Sequence, residues 1–254
     1  MSNKSLTIAT WNVNGIRARQ TQFSEWVERD QPDAICLQEI KAAPAQIPAQ
    51  VHNLPGYWRY WHGSGGYSGV ALLMRHQAFP QEPQFSHPTF DFENRIVQAV
   101  VGELAIAAVY VPNGGKDFNA KVEFMHALQE YVVATHKAGL NLIVCGDFNV
   151  AHTLQDVHPQ ERKLTIGQRP DERKLFGGIL DKGLVDVGRS LAPDNDRMFT
   201  WWAPWRNMRQ RNIGWRLDYI LASQDIAKSA TSCPVLAEVG TSDHAPVMAT
   251  FELY

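Results

Sequence analysis

Gly146-Asp-Phe-Asn149 closes a short apolar run, Leu142 to Cys145, and leaves a carboxylate and a carboxamide at alternate positions. On an extended backbone residues i and i+2 point the same way, so a buried strand ending like this aims both groups into the space beyond the sheet. The same residues also fit a plain β-turn closed by Asp and Asn. Repetition favours chemistry. Asn12, Glu39, Tyr110, Asp147, Asn149 and Asp218 each fall at or near the end of an expected strand, and Asp243-His244 stands just before another. Singly, each has a structural explanation as a turn former, core aromatic, cap or satisfied histidine. Together, with acids and amides predominating, they suit metal-assisted phosphoester hydrolysis. Carboxylate and carboxamide oxygens match Mg²⁺ or Mn²⁺, and no cysteine or histidine cluster in the sequence argues for zinc. Such a cation polarises a phosphoryl oxygen and stabilises the leaving alkoxide. One carboxylate must then handle water. An unperturbed Asp titrates near about 3.9 and a cation lowers it further, so Asp147 is expected to orient water first and accept a proton second.

A second constellation lies between Asp196 and Asp218, where there is no acidic residue. Arg197, Arg206, Arg209, Arg211 and Arg216 fall there, with Trp201, Trp202, Trp205 and Trp215, four of the eight tryptophans. Arginine contacts phosphates, and tryptophan stacks on bases or wedges into a duplex, so the stretch reads as a local nucleic-acid surface. The competing reading makes the tryptophans core and the arginines a solvated rim.

The elements that must position these groups follow from periodicity. Leu6–Thr10 and Ala34–Gln38 read as strands, with a helix between them carrying Ile16, Phe23, Trp26 and Val27 at helical spacing. Residues 57–62 and 69–75 read as paired strands, and 80–87 as a connector. Residues 95–101 and 104–110 read as a hairpin turning at Gly102, and 117–136 as a long amphipathic helix. The chain then turns polar through Thr165, is helical over 171–182, and closes with strands at 216–222 and 246–253. Paired strands with interspersed helices favour two mixed sheets with helices outside over a doubly wound parallel sheet. No linker or repeat divides residues 1–254, which are expected to form one domain.

Composition narrows the class. The 254 residues are 44% hydrophobic and 20% charged, and the net charge of −2 gives no global attraction for a polyanion, so any nucleic-acid site must be local. No apolar run reaches the roughly 18 residues of a membrane span, and no signal-peptide core opens the chain. The three cysteines, Cys36, Cys145 and Cys233, lack metal-ligand spacing and read as reduced core residues of a cytoplasmic protein.

Seven ordered segments resemble the exonuclease III family of abasic-site endonucleases, within the wider endonuclease/exonuclease/phosphatase superfamily. They are residues 10–15 (TWNVNG), 37–41 (LQEIK), 67–71 (YSGVA), 110–113 (YVPN), 146–152 (GDFNVAH), 214–219 (GWRLDY) and 242–246 (SDHAP). The resemblance implies a four-layer α/β sandwich of two packed, mostly antiparallel mixed sheets flanked by helices, with the site at one edge. It implies that Glu39 is the principal Mg²⁺ (or Mn²⁺) ligand with Asn12 and Asp243, that Asp147 and Asn149 position the attacking water, and that Tyr110 stabilises charge on the phosphate. His244 would contact the scissile phosphate, oriented by Asp218. Trp201, Trp215 and Leu217 would form a pocket for a flipped, baseless deoxyribose. Asn113, Lys116, His152, Trp205 and Arg211 complete the implied DNA-binding set. The implied partner is double-stranded DNA with abasic sites or blocked 3′ ends, met by a monomer. The implied activity is cleavage 5′ to an abasic site, with 3′–5′ exonuclease, 3′-phosphatase and 3′-phosphodiesterase activities left open beside it.

Three positions depart from that pattern. Asn14 stands where some relatives carry aspartate, which puts a second, weaker metal position in doubt. Asn94 often corresponds to glycine, and a left-handed turn is expected to survive there. Lys116 replaces an arginine, which bears on how the strand opposite the cut is held. Two other functions remain to be distinguished. A hydrolase of lipid or small-molecule phosphoesters would have no use for the Trp/Arg block. A catalytically silent binder would have lost metal ligands that are all present here.

Overall fold

The computed structural model describes residues 4–253. The chain opens with β1 (Lys4–Asn12), α1 (Ile16–Asp30) and β2 (Ala34–Gln38), then a short α2 (Ala49–His52), β3 (Tyr57–His62) and β4 (Val70–Arg75). Next come β5 (Gln84–Ser86), β6 (Ile96–Val101), β7 (Leu104–Tyr110), α3 (Phe118–Lys137), β8 (Asn141–Asp147) and α4 (Pro170–Leu180). The last third supplies β9 (Leu184–Asp186), α5 (Val187–Leu191), β10 (Asp218–Ser223), α6 (Gln224–Ala227), β11 (Ala230–Ser232) and β12 (Val247–Leu253).

Two six-stranded sheets result, ordered β11-β12-β1-β2-β4-β3 and β5-β6-β7-β8-β10-β9. Each contains one parallel pair, β1 with β2 and β7 with β8, where a helix provides the crossover that parallel pairing requires. The sheets face each other across a core that includes Ile8, Cys36 and Leu72 from one and Ile106, Ile143 and Cys145 from the other. α1 covers the outside of the first sheet with Ile16, Phe23, Trp26 and Val27, all buried. α3 and α4 cover the outside of the second with Phe124, Leu128, Phe176 and Ile179. This is the four-layer sandwich expected. No helix among the described residues is long and apolar enough to cross a membrane.

The differences are local. The connector expected at 80–87 contains β5, three residues pairing with β6, too short for periodicity to register. β1 and β8 run past their apolar segments, because neighbouring strands continue to bond the polar residues at their ends. Strand β8 passes through Gly146, where an added Cβ would lie 1.8 Å from the Val109 carbonyl oxygen, so glycine is required by the close approach of β7. Asp117 does not start α3 but caps it, accepting from the Ala120 N–H at 3.0 Å.

Candidate active site

Register brings the polar strand ends to one edge of both sheets. In the second sheet Tyr110 and Asp218 both pair with Asp147, so three strands deliver a phenol and two carboxylates side by side. In the first, Asn12 pairs with Gln38, which places Glu39 beside it, and antiparallel β12 brings Asp243 and His244 to the same edge. One amide joins the sheets. Asn12 Nδ2 donates to Glu39 Oε1 and to Asp147 Oδ2, each at 2.9 Å. Tyr110 Oη donates to Glu39 Oε1 at 2.9 Å, and His244 Nδ1 meets Asp218 Oδ2 at 2.8 Å, with Nε2 3.9 Å from Asp147 Oδ2.

The route by which Asn149 reaches Asp147 differs from the alternation expected of an extended strand. The strand ends at Asp147, and Asn149 sits in the left-handed region at φ 52°. Its backbone N–H donates to Asp147 Oδ1 at 2.8 Å and its Nδ2 reaches Asp147 Oδ2 at 3.3 Å. The loop is the turn that the residue types allow, and it still brings the carboxamide against the carboxylate. Asn14, Glu39 and Lys41 also hold positive φ, at 45°, 50° and 49°. Such residues cost about 1–3 kcal/mol each and persist where surrounding bonds over-determine them. Asn94, at φ 57°, keeps the left-handed turn expected of it.

Electrostatics separates the acids. Burial pushes Asp147 up to about 7, reinforced by Asp218 and Glu39 and opposed by His244. Burial would lower His244, but Asp218 and Asp147 outweigh it and raise the imidazole to about 10, so the ring is charged at neutral pH. Burial, Glu39 and Asp147 raise the Tyr110 phenol far above its ordinary range, leaving a neutral donor. Against burial, Asn12 and Lys41 hold Glu39 below the usual carboxylate range, and His244, Asn14 and Trp201 do the same for Asp243. In the metal-free protein, burial and acidic neighbours thus make Asp147 the site carboxylate best able to hold a proton.

The donor set fits a hard divalent cation. Four carboxylates (Glu39, Asp147, Asp218, Asp243) face one imidazolium and one ammonium, which leaves an excess of negative charge. Asp218 Oδ1 is buried with no hydrogen-bond partner among the described residues. Side-chain atoms of Asp147, Asp218 and His244 lie within 4.8 Å of one another, the charged imidazole serving as partner to the two carboxylates. Glu39 and Asp243 are joined less directly, through Asn14, whose Nδ2 donates to Asp243 Oδ1 at 2.8 Å and whose Oδ1 accepts from Lys41 Nζ at 2.6 Å. Asn12 turns its nitrogen to the carboxylates and its oxygen to the Asn14 N–H, so it steadies Glu39. Lys41 Nζ also contacts Glu39 Oε2 at 2.7 Å, a role that the sequence alone does not disclose.

The Trp/Arg block divides in two. Trp205, at 59% exposed, and Arg197, Arg206 and Arg211 face solvent. Arg216 does not: it is buried, paired with Asp186 and, at 3.1 Å, with Asp156, which Arg189 also contacts at 2.6 Å. Arg209 is likewise structural, stacked 5.0 Å from the Trp202 ring and donating to the carbonyls of Ala237, Val239 and Ser242. An acid-free stretch therefore finds its carboxylates elsewhere in the chain. Burial would raise Asp156, but Arg216 and Arg189 hold it below its ordinary value. A depressed carboxylate stabilises the fold above its unfolded pKa, about 3.9, and the contribution disappears as pH falls through the folded value. Asp156→Asn should accordingly melt below the wild type at pH 7, with the gap narrowing below about pH 4.

Trp201 and Trp215 meet edge-on at 5.3 Å, with Leu217, Ala151 and Val157 completing a small apolar cluster. Trp201 Nε1 also donates to Asp243 Oδ2 at 2.9 Å, joining that cluster to the carboxylates. The Gly167 loop seats on Trp215, where a Cβ at Gly167 would lie 3.0 Å from the ring. Asn113 and Lys116 are exposed on the rim, and Asn113 Nδ2 donates to Asn149 Oδ1 at 3.2 Å. His152 is half-buried with its ring 4.8 Å from Phe176.

A further ion pair lies beneath the site. Lys121 and Glu172 are paired and fully buried. Lys121 Nζ also donates to the carbonyls of Asn149 at 2.8 Å and Asn113 at 3.2 Å. Glu172 Oε2 accepts from the Gly167 N–H at 2.8 Å and the Arg169 N–H at 3.1 Å. The pair therefore fixes the Asn149 turn and the loop against Trp215 together. Periodicity could have found both, since Lys121 shares a face with Phe124, Met125 and Leu128, and Glu172 with Phe176 and Ile179.

Comparison with known proteins places the chain in a family and a fold. Residues 9–244 match the model of the Endonuclease/Exonuclease/phosphatase family. An exodeoxyribonuclease of Bacillus subtilis is 31% identical over 95% of this chain and 98% of its own length. Recombination repair protein 1 of Drosophila melanogaster is 33% identical over 98% of this chain, which spans only 37% of that longer protein. Among solved structures, a 3′–5′ exonuclease from Neisseria meningitidis superposes with a TM-score of 0.89 at 31% identity, covering 97% of this chain and 100% of the other. An AP endonuclease from Archaeoglobus fulgidus gives 0.87 at 29% identity, covering 98% and 100%.

Proposed function

The chain belongs to the Endonuclease/Exonuclease/phosphatase family, and from that premise we propose that it is a DNA-repair hydrolase. It cuts the backbone of double-stranded DNA 5′ to abasic sites and clears blocked 3′ ends, acting as a single-domain monomer with Mg²⁺ or Mn²⁺. The observation that carries this reading is the bridge from Asn12 to Glu39 and Asp147, beside the His244–Asp218 pair. Repair nucleases and AP endonucleases among the similar proteins supply the substrate class.

In this reading Glu39 and Asp243 hold the cation, with Asn12 and Asn14 steadying them. The cation, when bound, polarises a phosphoryl oxygen and stabilises the leaving alkoxide. Asp147 takes a proton from the attacking water, which Asn149 helps to place. Oxygen from that water bonds to phosphorus as the P–O3′ bond breaks, and O3′ leaves as an alkoxide that picks up a proton. His244 lays positive charge on a non-bridging oxygen, kept protonated by Asp218, while neutral Tyr110 donates a hydrogen bond. Asn113, Lys116, His152, Trp205 and Arg211 line the duplex path, and Trp201, Trp215 and Leu217 receive the baseless sugar.

The test is a duplex with one abasic analogue, incubated with Mg²⁺ or with EDTA, beside a lipid phosphoester. Nicking 5′ to the analogue that chelation abolishes is expected, whereas lipid hydrolysis with an intact duplex contradicts the reading. Trp215→Ala should slow abasic cleavage at least about tenfold, the scale of losing one large apolar side chain's packing, about 1.5–3 kcal/mol. Removal of a 3′-phosphate, which needs no sugar pocket, should change less, and equal losses would refute the pocket.

A further inference from the structure

We propose that His62, His87 and Asp91 form a second metal site, flanking the catalytic edge on its β3 side, that binds a transition ion of the zinc class. A ring nitrogen of each histidine and a carboxylate oxygen of Asp91 lie within 4.8 Å of one another. The residues converge from the last position of β3, the position after β5 and the loop before β6, a separation that hides the cluster in sequence.

Part of the site is already fixed. Asp91 Oδ1 accepts from the backbone N–H groups of Arg95 at 2.7 Å and Ile96 at 3.0 Å, which orients Oδ2 toward His62 Nε2 at 2.7 Å. Side-chain exposure is 7% for Asp91 and 15% for His62, so two donors sit in a wall while the third, His87, is exposed and can adjust. The imidazoles lie 4.5 Å apart and nearly parallel, at 16°. Two imidazoles and one carboxylate would supply a mixed nitrogen and oxygen set that zinc, cobalt and nickel accept and Mg²⁺ does not favour. A bound ion would tie β3 to the segment that carries Arg95, whose guanidinium lies 4.8 Å from the Tyr110 ring centre. The His62–Asp91 hydrogen bond alone gives His87 no part, so His87 discriminates between the two explanations.

Equilibrium dialysis of the full chain against Zn²⁺, in a large excess of Mg²⁺, tests the site. Wild type should take up Zn²⁺, and His87→Ala should bind it at least about tenfold more weakly, with Mg²⁺-supported removal of 3′-phosphates unchanged. Asp147→Asn, which alters the catalytic edge, and His76→Ala, which removes another exposed histidine, should bind as wild type. The proposal is overturned if wild type takes up no Zn²⁺, if His87→Ala binds equally well, or if Asp147→Asn alone removes the binding.

Discussion

Asp147→Asn is expected to slow single-turnover cleavage of an abasic duplex by about 10²–10⁴-fold, the range lost with a positioned proton acceptor. The substitution conserves shape, so DNA affinity should change little. It removes the one carboxylate that burial and its acidic neighbours raise to about 7. The effect on stability should depend on pH. A carboxyl whose folded pKa lies above its unfolded value contributes stability at low pH that is lost as pH rises through the folded value. Above that value the metal-free protein must keep a buried carboxylate beside Asp218 and Glu39. A neutral carboxamide avoids that cost but gives up one acceptor for the Asn12 and Asn149 donors, so in EDTA any stability gap to wild type should narrow as pH rises through about 7. A gap that widens with pH, with only a modest rate loss, would make Asp147 a structural residue instead.

Lys121→Met carries the second large effect. It leaves Glu172 buried without its cation, at an expected cost of about 3–5 kcal/mol, read as a lower urea midpoint with an unchanged slope. It also frees the Asn149 and Asn113 carbonyls and loosens the Gly167 loop through Glu172. Cleavage should therefore fall even in protein that remains folded, and extra Mg²⁺ should not restore it. Combining it with Glu172→Gln removes both charges and keeps an acceptor for the Gly167 N–H. The double variant should lose less stability than the two single losses added together. Additive losses would mean that the pair is not coupled.

Legibility in the sequence followed physical strength of pattern. Ala34–Gln38 and Leu104–Tyr110 are readable residue for residue because a strand buried on both faces is a continuous apolar run. β9, β11, α5 and α6 are three to five residues long and leave no periodic trace, and β9 and β11 are defined by the strands they pair with. The strand-end acids and amides stand out by residue type, and register then assembles them. What the sequence does not disclose is who partners whom. Arg216 looks like a phosphate contact until Asp156 and Asp186 fold against it. His62 and His87 lie far apart until β3 and β5 meet at one end of the sheets. Asn149 reaches Asp147 by a left-handed turn that alternation does not foresee.

The proposed function places a cation, held by Glu39 and Asp243 at the edge of the first sheet, against the phosphate being cut. Abasic duplexes in which sulfur replaces one non-bridging oxygen of that phosphate examine this contact directly. Oxygen suits Mg²⁺, whereas sulfur is better tolerated by softer Mn²⁺. One diastereomer should be cut slowly with Mg²⁺ and recover with Mn²⁺, and the recovery should vanish in Glu39→Gln. If both diastereomers are cut with the same Mg²⁺-to-Mn²⁺ ratio as the normal phosphate, the cation does not meet the phosphate and the account fails.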